Sequence, residues 1–406
     1  MKSSVEEFRN EVRAWLKEHL RGRFAELKGA GGPGREHEAF AERLAWERHM
    51  AAHGWTCVGW PEEYGGRGAS LAEQVAFHEE YALADAPARV NHIGEQLLGP
   101  TLIAYGTQEQ KRRFLPKIVA VEELWCQGYS EPDAGSDLAN VRTRAELREG
   151  AWAVDGQKTW TSLAHESQWC FVVARTEPGS RRHAGLSYLL VPMQQPGVEV
   201  RPITQLTGTS EFNEVFFDGA RTDAAHVVGE VGDGWRIAMA TLGFERGVST
   251  LGQQVGFRRE LEALIAMARR NGTFDDPLIR DRLTRSWIGL ETMRATALRT
   301  MDGVTAGAPG PEASIGKIFW ATWHRELGEL AMEVCGGSSM YGGGMYRGGV
   351  TSAGGTPAAT AEPYELDDWQ RLFLFSRADT IYAGSNEIQR NIIAERVLGL
   401  PREARA

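Results

Sequence analysis

Cysteine is scarce. The 406-residue chain has four, Cys57, Cys126, Cys170 and Cys335, all far apart. With no C-x-x-C pair, neither a zinc site nor a disulfide framework is expected, and the thiols read as buried or half-buried and free. No apolar run nears the ~18 residues that a membrane span needs. The first residues, Met1 to Arg9, lack an apolar leader core and carry the acids Glu6 and Glu7. A cytoplasmic location is the expectation from that start. Positive charge is also short: 45 Lys and Arg against 54 Asp and Glu leave a formal net charge of −9. That balance speaks against a general nucleic-acid binder, which needs clustered cations for phosphate contacts. What the chain does have is 42% apolar residues, enough to build a core and exclude general disorder. At ~150 residues per domain, its length predicts two or three domains.

The chain changes texture twice. Val5, Phe8, Val12, Trp15 and Leu16 recur at helical spacing, and helical patterns return from about Glu38 to Gly54, to about residue 85, and from Glu109 to Val121. Beyond Glu123 short β-rich runs appear: Trp169–Val173, Leu186–Val191, Val198–Ile203 and Val215–Phe217. Gly156, Pro178-Gly179, Pro196-Gly197 and Asp218-Gly219 punctuate them. Strands at this spacing without helices between them predict an antiparallel barrel or sandwich. From Asp233 the helical period resumes, with Trp235, Met239 and Leu242 as its first stripe, as expected of a bundle. The run from Tyr341 to Pro363, rich in Gly, Ala and Thr, reads as a long loop. A last helical segment spans about Asn386 to Val397, and no internal repeat is visible.

Two segments gather polar chemistry. Tyr129-Ser130-Glu131-Pro132-Asp133-Ala134-Gly135-Ser136-Asp137 sets two hydroxyls six residues apart on a turn forced by proline and glycine. Exposed backbone N–H groups and hydroxyls there suit a ring edge or a phosphate, although alone this reads as a decorated surface turn. About 20 residues on, Gly156-Gln157-Lys158-Thr159-Trp160-Thr161-Ser162 flanks a tryptophan with hydroxyls, a pattern that suits ring stacking or a core position at a strand end. His53, His92 and His165 have no metal-ligand spacing and read as hydrogen-bonded histidines, so no metal is expected.

Taken together, these segments resemble the two flavin-binding signatures of the acyl-CoA dehydrogenase family. Ile381-Tyr382-Ala383-Gly384-Ser385-Asn386-Glu387-Ile388-Gln389-Arg390 is similar to a third motif of that family, and Cys335-Gly336-Gly337 to its Gly-Gly cofactor loop. The likeness runs over nearly the whole chain in the right order. It implies an α+β chain: an N-terminal α-helical domain (1–121), a middle β-barrel (122–231) and a C-terminal four-helix bundle (232–406). It implies FAD, with Gln127, Tyr129, Ser130, Ser136, Trp160 and Ser162 at the flavin and its phosphate side. Arg270, Gly336, Gly337, Ser385 and Glu387 are implied for the polar portion, partly on a neighbouring subunit's cofactor. Where the family usually has Arg-x-x-Phe, this chain reads Arg270-Asn271-Gly272-Thr273-Phe274.

The base position departs from the family's commoner pattern. Many members carry Tyr-Glu-Gly, whose Glu takes the substrate α-proton; here Tyr382-Ala383-Gly384 has no carboxylate. A minority place the Glu on a bundle helix just before an Arg, and Thr241-Leu242-Gly243-Phe244-Glu245-Arg246-Gly247 fits that pattern. The resemblance therefore implies Glu245 as base, Arg246 as orienter of base or substrate, and the backbone N–H of Ala383 as donor to the thioester oxygen. Ser136 is also expected at the substrate. The implied reaction is α,β-dehydrogenation of an acyl-CoA, with a branched or bulky acyl group because Ala383 frees volume. Electron-transfer flavoprotein is the implied acceptor, and a homotetramer, or a mixed tetramer, the implied assembly. A flavin monooxygenase or oxidase on the same fold is the competing reading.

Overall fold

The computed structural model describes residues 4–244, 249–305, 312–340 and 366–402. In chain order the helices α1 (Val5–His19), α2 (Phe40–Ala52), α3 (Leu71–Leu83), α4 (Gly99–Tyr105) and α5 (Gln108–Val119) come first. Strands β1 (Trp125–Gly128), β2 (Arg144–Arg148), β3 (Ala151–Ser162), β4 (Trp169–Arg175), β5 (Leu186–Pro192), β6 (Val198–Ile203), β7 (Phe212–Asp223) and β8 (Val227–Val228) follow. Helices α6 (Gly234–Phe244), α7 (Ser249–Asn271), α8 (Pro277–Thr305), α9 (Glu312–Cys335), α10 (Asp368–Asp379) and α11 (Asn386–Ile392) complete the order. The sequence is thus helical, then sheet, then helical. By contact the chain forms two compact units, one of residues 1–29, 71–86 and 248–406, the other of 30–70 and 87–247.

In the first unit, α1 starts on a reciprocal cap: Ser4 Oγ accepts the Glu7 N–H at 3.2 Å and the Glu7 carboxylate accepts the Ser4 N–H at 2.7 Å. Its buried stripe is Phe8, Val12 and Leu16; Val5, expected on it, is exposed in the first turn. Arg9 and Arg13 pair with Glu79 and Glu80 of α3. The bundle core draws Phe257, Leu261 and Leu264 of α7, Leu283 and Leu290 of α8, Leu327 and Leu330 of α9 and Trp369 of α10.

In the second unit, the described strands form one sheet ordered β6-β7-β3-β2-β4-β5-β8, with β1 beside β4. Most pairs are antiparallel, as expected, but β1 and β2 each pair with β4 in parallel. The cause is a crossover: the chain leaves β1, makes a turn and the β2–β3 hairpin, and returns as β4. β4 and β5 are apolar almost without alternation because the sheet is covered on both faces. Phe171, Val173, Tyr188 and Leu190 face one core with Leu98, Leu102 and Ile237; Cys170, Val172, Leu189 and Val191 face another with Trp152 and Val215.

Three expectations change here. Gly156 and Asp218-Gly219 do not end strands; β3 and β7 run through them, with a register shift between Val154 and Gly156. β1, β2 and β3 are strands that the alternation did not reveal. On α6 the buried face is Gly234, Ile237, Ala238 and Thr241, whereas Met239 is 36% exposed. Gly234 decides that face: a Cβ there would lie 2.5 Å from Ser187 Cα, so only glycine lets α6 lie this close to β5.

Candidate active site

The two polar segments of the sheet unit are one structural piece. β1 delivers the chain to Tyr129, and Glu131 and Ala134 exchange backbone hydrogen bonds at 3.1 and 3.0 Å, closing the turn. The Glu131 carboxylate is buried and accepts the backbone N–H of Arg142 at 2.6 Å and of Thr143 at 2.8 Å. Its third partner is the Lys158 ammonium at 2.8 Å. Lys158, with no exposed surface, also donates to the carbonyls of Tyr129 (3.0 Å) and Val173 (2.8 Å). All three of its protons are therefore committed. Thr159 N–H adds a bond to Ser130 O at 2.9 Å. Burial pushes the Lys158 ammonium below its usual pKa. Burial also works to raise Glu131, but the Lys158 charge and the hydrogen bonds outweigh it and hold the carboxyl below its usual range.

This clamp fixes where Trp160 stands. The β3–β7 register shifts between Lys158 and Thr161, and Trp160, inside that bulge, has φ of 58°. Its indole is 57% exposed and meets only an edge-on ring among the ring contacts, Phe212, at 6.1 Å between centroids. A core position at a strand end is thereby excluded: the bulge turns a large aromatic outward on a rigid base. Around it, Gln127 and Ser162 are half-buried, Tyr129 is buried, Ser130 is half-buried and Ser136 is exposed. The Gln127 Nε2 and the Thr161 Oγ1 are buried and make no hydrogen bond among the described residues. Buried polar atoms of this kind normally have partners. The outward ring of Trp160 suits a flat heteroaromatic ligand and the unmet Gln127 donor suits an acceptor on a ligand's edge, both of which FAD presents.

The helical unit carries the third motif. α10 ends at Asp379, and the chain turns through Thr380–Ser385 into α11, whose first N–H groups are capped by Ser385 Oγ, 3.3 Å from Ile388 N. Ala383 takes the left-handed conformation with φ of 52°, followed by Gly384 at 83°. Gln389 Nε2 braces this pair by donating to the Ala383 carbonyl at 3.3 Å. No hydrogen bond is made by the Ala383 N–H among the described residues. Glu387 is exposed and lies 3.5 Å from Arg390. Arg270, in the last turn of α7, is exposed, while Phe274 packs into the bundle core beneath the Arg269 guanidinium at 5.0 Å. Gly336, with φ of 58°, and Gly337 open the turn after α9, and a Cβ on either would meet nothing within 4 Å.

Glu245 and Arg246 lie outside the described residues, as does the 341–363 loop; α6 is described as far as Phe244. Sequence reasoning assigned no role to Lys158 or Glu131, although both stand inside the quoted motifs. No local signal marked them, because Lys158 stands in a stretch that reads as a loop. It also missed Asp379, His324 and Glu260, which lie behind the third motif. His53, His92 and His165 each have a hydrogen-bond partner, at 2.8, 3.3 and 3.1 Å.

Comparison with known proteins places this geometry. Sequence profiles of the N-terminal, middle and C-terminal domains of acyl-CoA dehydrogenases match residues 3–122, 126–220 and 232–398. The chain is 66% identical over 401 residues to acyl-CoA dehydrogenase IpdE1 of Mycobacterium tuberculosis, covering 99% of each protein. Among solved structures, the Tcur3481-Tcur3483 steroid acyl-CoA dehydrogenase superposes with a TM-score of 0.82 at 28% identity, over 98% of both chains. The ChsE4-ChsE5 complex of M. tuberculosis gives 0.79 at 29% identity, over 100% of both.

Proposed function

The chain belongs to the acyl-CoA dehydrogenase family and is an enzyme of that kind; on that premise we propose that it converts a bulky acyl-CoA to the trans-2-enoyl-CoA, with Glu245 as base. The observation that carries this reading is Ala383: a partly buried backbone N–H with no partner among the described residues, on a residue with no carboxylate. The N–H suits a thioester oxygen, and the missing carboxylate requires a base elsewhere.

The chemistry follows from charge. A thioester α-C–H is too weak an acid for a free carboxylate. A donor aimed at the oxygen where negative charge develops lowers that barrier, and one such donor is worth about 10²–10³ in kcat. Ala383 N–H is that donor, and Glu245 receives the α-proton. The chemistry that bound FAD would supply at this site is acceptance of the β-hydrogen with its electron pair. Gln127, Tyr129, Ser130, Ser136, Trp160 and Ser162 would hold the ring and its phosphate side. Arg270, Gly336, Gly337, Ser385 and Glu387 would hold the polar portion of the same or a neighbouring subunit's FAD. Arg246 orients the base or the substrate, and Ser136 also touches the substrate.

The likeness to the Tcur3481-Tcur3483 steroid acyl-CoA dehydrogenase supports a ring-bearing acyl group, and alanine at 383 leaves room beside the reacting carbons. One relative is a complex of two named proteins, which sets a mixed tetramer beside the homotetramer as the assembly to resolve by native mass spectrometry. Electron-transfer flavoprotein in the cytoplasm is the proposed electron acceptor. Anaerobic titration of the purified flavoprotein with linear, branched and steroid-derived acyl-CoA thioesters tests the reading. Wild type is expected to bleach with ring-bearing or branched thioesters and Glu245→Gln to bleach at least 10³-fold more slowly, about the loss expected for a proton-transfer residue. Equal bleaching of the two proteins refutes the base assignment; preference for unbranched medium chains refutes the bulky substrate.

A further inference from the structure

Behind the Ala383 turn lies a buried chain of charges that the reaction as described does not use. His324, in the middle of α9, is buried, and both its ring nitrogens face carboxylates: Nδ1 lies 2.5 Å from Asp379 Oδ2 and Nε2 3.0 Å from Glu260 Oε2 of α7. Only an imidazolium has a proton for each. Burial pushes the His324 pKa down, but the two carboxylates more than reverse this and raise it to about 10. The other Asp379 oxygen accepts the Tyr382 hydroxyl at 2.7 Å. Lys317, also on α9, donates to the Asp379 carbonyl and sits 5.8 Å from the centroid of the Tyr382 ring. The charged groups that face one another from α7, α9 and α10 are therefore Glu260, His324, Lys317 and Asp379, two of each sign. Two aromatic rings also lie near the histidine, Phe257 at 4.4 Å and Trp323 at 6.4 Å between ring centroids.

Such a chain is costly to bury, and apolar side chains of similar volume generally stabilise as well. What charges add is direction. The chain ends on Tyr382, the residue before Ala383. Ala383 itself is a non-glycine residue in the left-handed region, which persists only where its surroundings hold it. From the other side α11 holds the same turn: Asn386 N–H donates to the Thr380 carbonyl at 3.0 Å, and Asn386 Nδ2 reaches Thr322 Oγ1 of α9 at 3.2 Å.

We propose that Glu260, His324 and Asp379 form a positioning relay that, through the Tyr382 hydroxyl, holds Ala383 with its N–H presented to the thioester oxygen. This deepens the functional reading above and rests on it. None of the three touches substrate; they act through Tyr382.

The test uses the flavin-loaded enzyme as Tyr382→Phe, His324→Gln and the double variant. Tyr382→Phe removes one hydroxyl from a half-exposed ring, so it keeps the test alive if His324→Gln fails to fold. Each single variant is expected to slow substrate-dependent flavin bleaching at saturating acyl-CoA about tenfold or more, as a misplaced reactive group does. KM is expected to stay within about threefold. Because the residues act in series, the double variant is expected to be no slower than the slower single variant. Amide hydrogen exchange, read in the absence of substrate, is expected to quicken about tenfold at residues 380–385 and to stay unchanged in α7 and α8. Retained kcat in Tyr382→Phe overturns the proposal, and so do multiplicative losses in the double variant. Unchanged exchange at 380–385 overturns it too. If wild type bleaches with no acyl-CoA, the functional reading fails instead, and the exchange result still decides whether the relay holds the turn.

Discussion

Replacing Lys158 with methionine keeps the length of the side chain and removes its charge. The ammonium makes one bond to a carboxylate and two to backbone carbonyls, all inside the protein. Its loss leaves Glu131 buried with two backbone N–H donors and no counter-charge. Removing one partner of a buried pair costs about 3–5 kcal/mol. In a body of this size that lowers Tm by about 10 °C. The deficit carries a pH signature that plain loss of packing lacks. In wild type the Glu131 pKa is held below its usual value. Its stabilisation is present above the unfolded pKa near 4.5 and is lost as pH falls through the folded one. In the variant only the two backbone N–H donors oppose burial, so the folded pKa rises above the unfolded one. The carboxylate then destabilises increasingly as pH climbs from the unfolded value to that raised one. The gap between variant and wild type should be widest near pH 8 and shrink toward pH 4.5, measured by urea unfolding across that range. Adding Glu131→Leu should recover most of it, because no buried charge remains. The two motif segments would also lose their charged tie, leaving the Thr159 N–H to Ser130 bond, so Lys158→Met should release flavin on gel filtration. A deficit that stays constant from pH 5 to 8 would refute the ion pair as the clamp.

Two further outcomes follow from the same geometry. Trp160→Ala should cost little stability, because the indole is 57% exposed, yet weaken flavin binding about tenfold, the worth of one stacked ring; reconstitution of the apoprotein with FAD measures both. The His324 pKa stands near 10 against 6.5 unperturbed. Its pairing therefore stabilises fully below pH 6.5, and that stabilisation drains away as pH rises toward 10. Wild type should lose stability over that window in excess of His324→Gln, read as the difference between their unfolding midpoints at pH 7 and pH 9.5.

The order helix, sheet, helix was legible because its signals are local: periods of 3.6 and 2, and turn residues between them. β4 and β5 announced themselves as apolar runs, whereas β3 did not. Asp155, Gly156, Gln157 and Lys158 look like a loop until Glu131 is known to face Lys158 from 27 positions away. The same blindness explains Gly156 and Asp218-Gly219, which read as breaks and sit inside paired strands. On α6, Trp235 and Leu242 of the expected stripe pack half-buried against the core, Met239 of the same stripe is exposed, and the deepest face is a different one. Gly234 permits contact with β5 that a side chain forbids, and Ile237, Ala238 and Thr241 follow it inward. In the candidate site Trp160 and Ala383 were singled out by the resemblance to the family's motifs. The buried charges that hold them were not, because an ion pair has no sequence period.

Ala383 shows why a base can leave this position without ending the chemistry. Two jobs fall on the residue after Tyr382: a backbone N–H, and in relatives with Tyr-Glu-Gly a carboxylate. The first depends on φ, and φ here is 52°; Gln389 Nε2 donates to the Ala383 carbonyl, and the preceding Tyr382 hydroxyl donates to Asp379, which pairs with His324. The second depends only on a side chain. A substitution to alanine deletes the second job and leaves the first intact, since alanine keeps its N–H and tolerates the left-handed region no worse than glutamate. Any carboxylate that reaches the same α-proton from another element then restores the reaction. On the proposed reading the backbone contribution is the part that stays in place, held by the buried charges behind it.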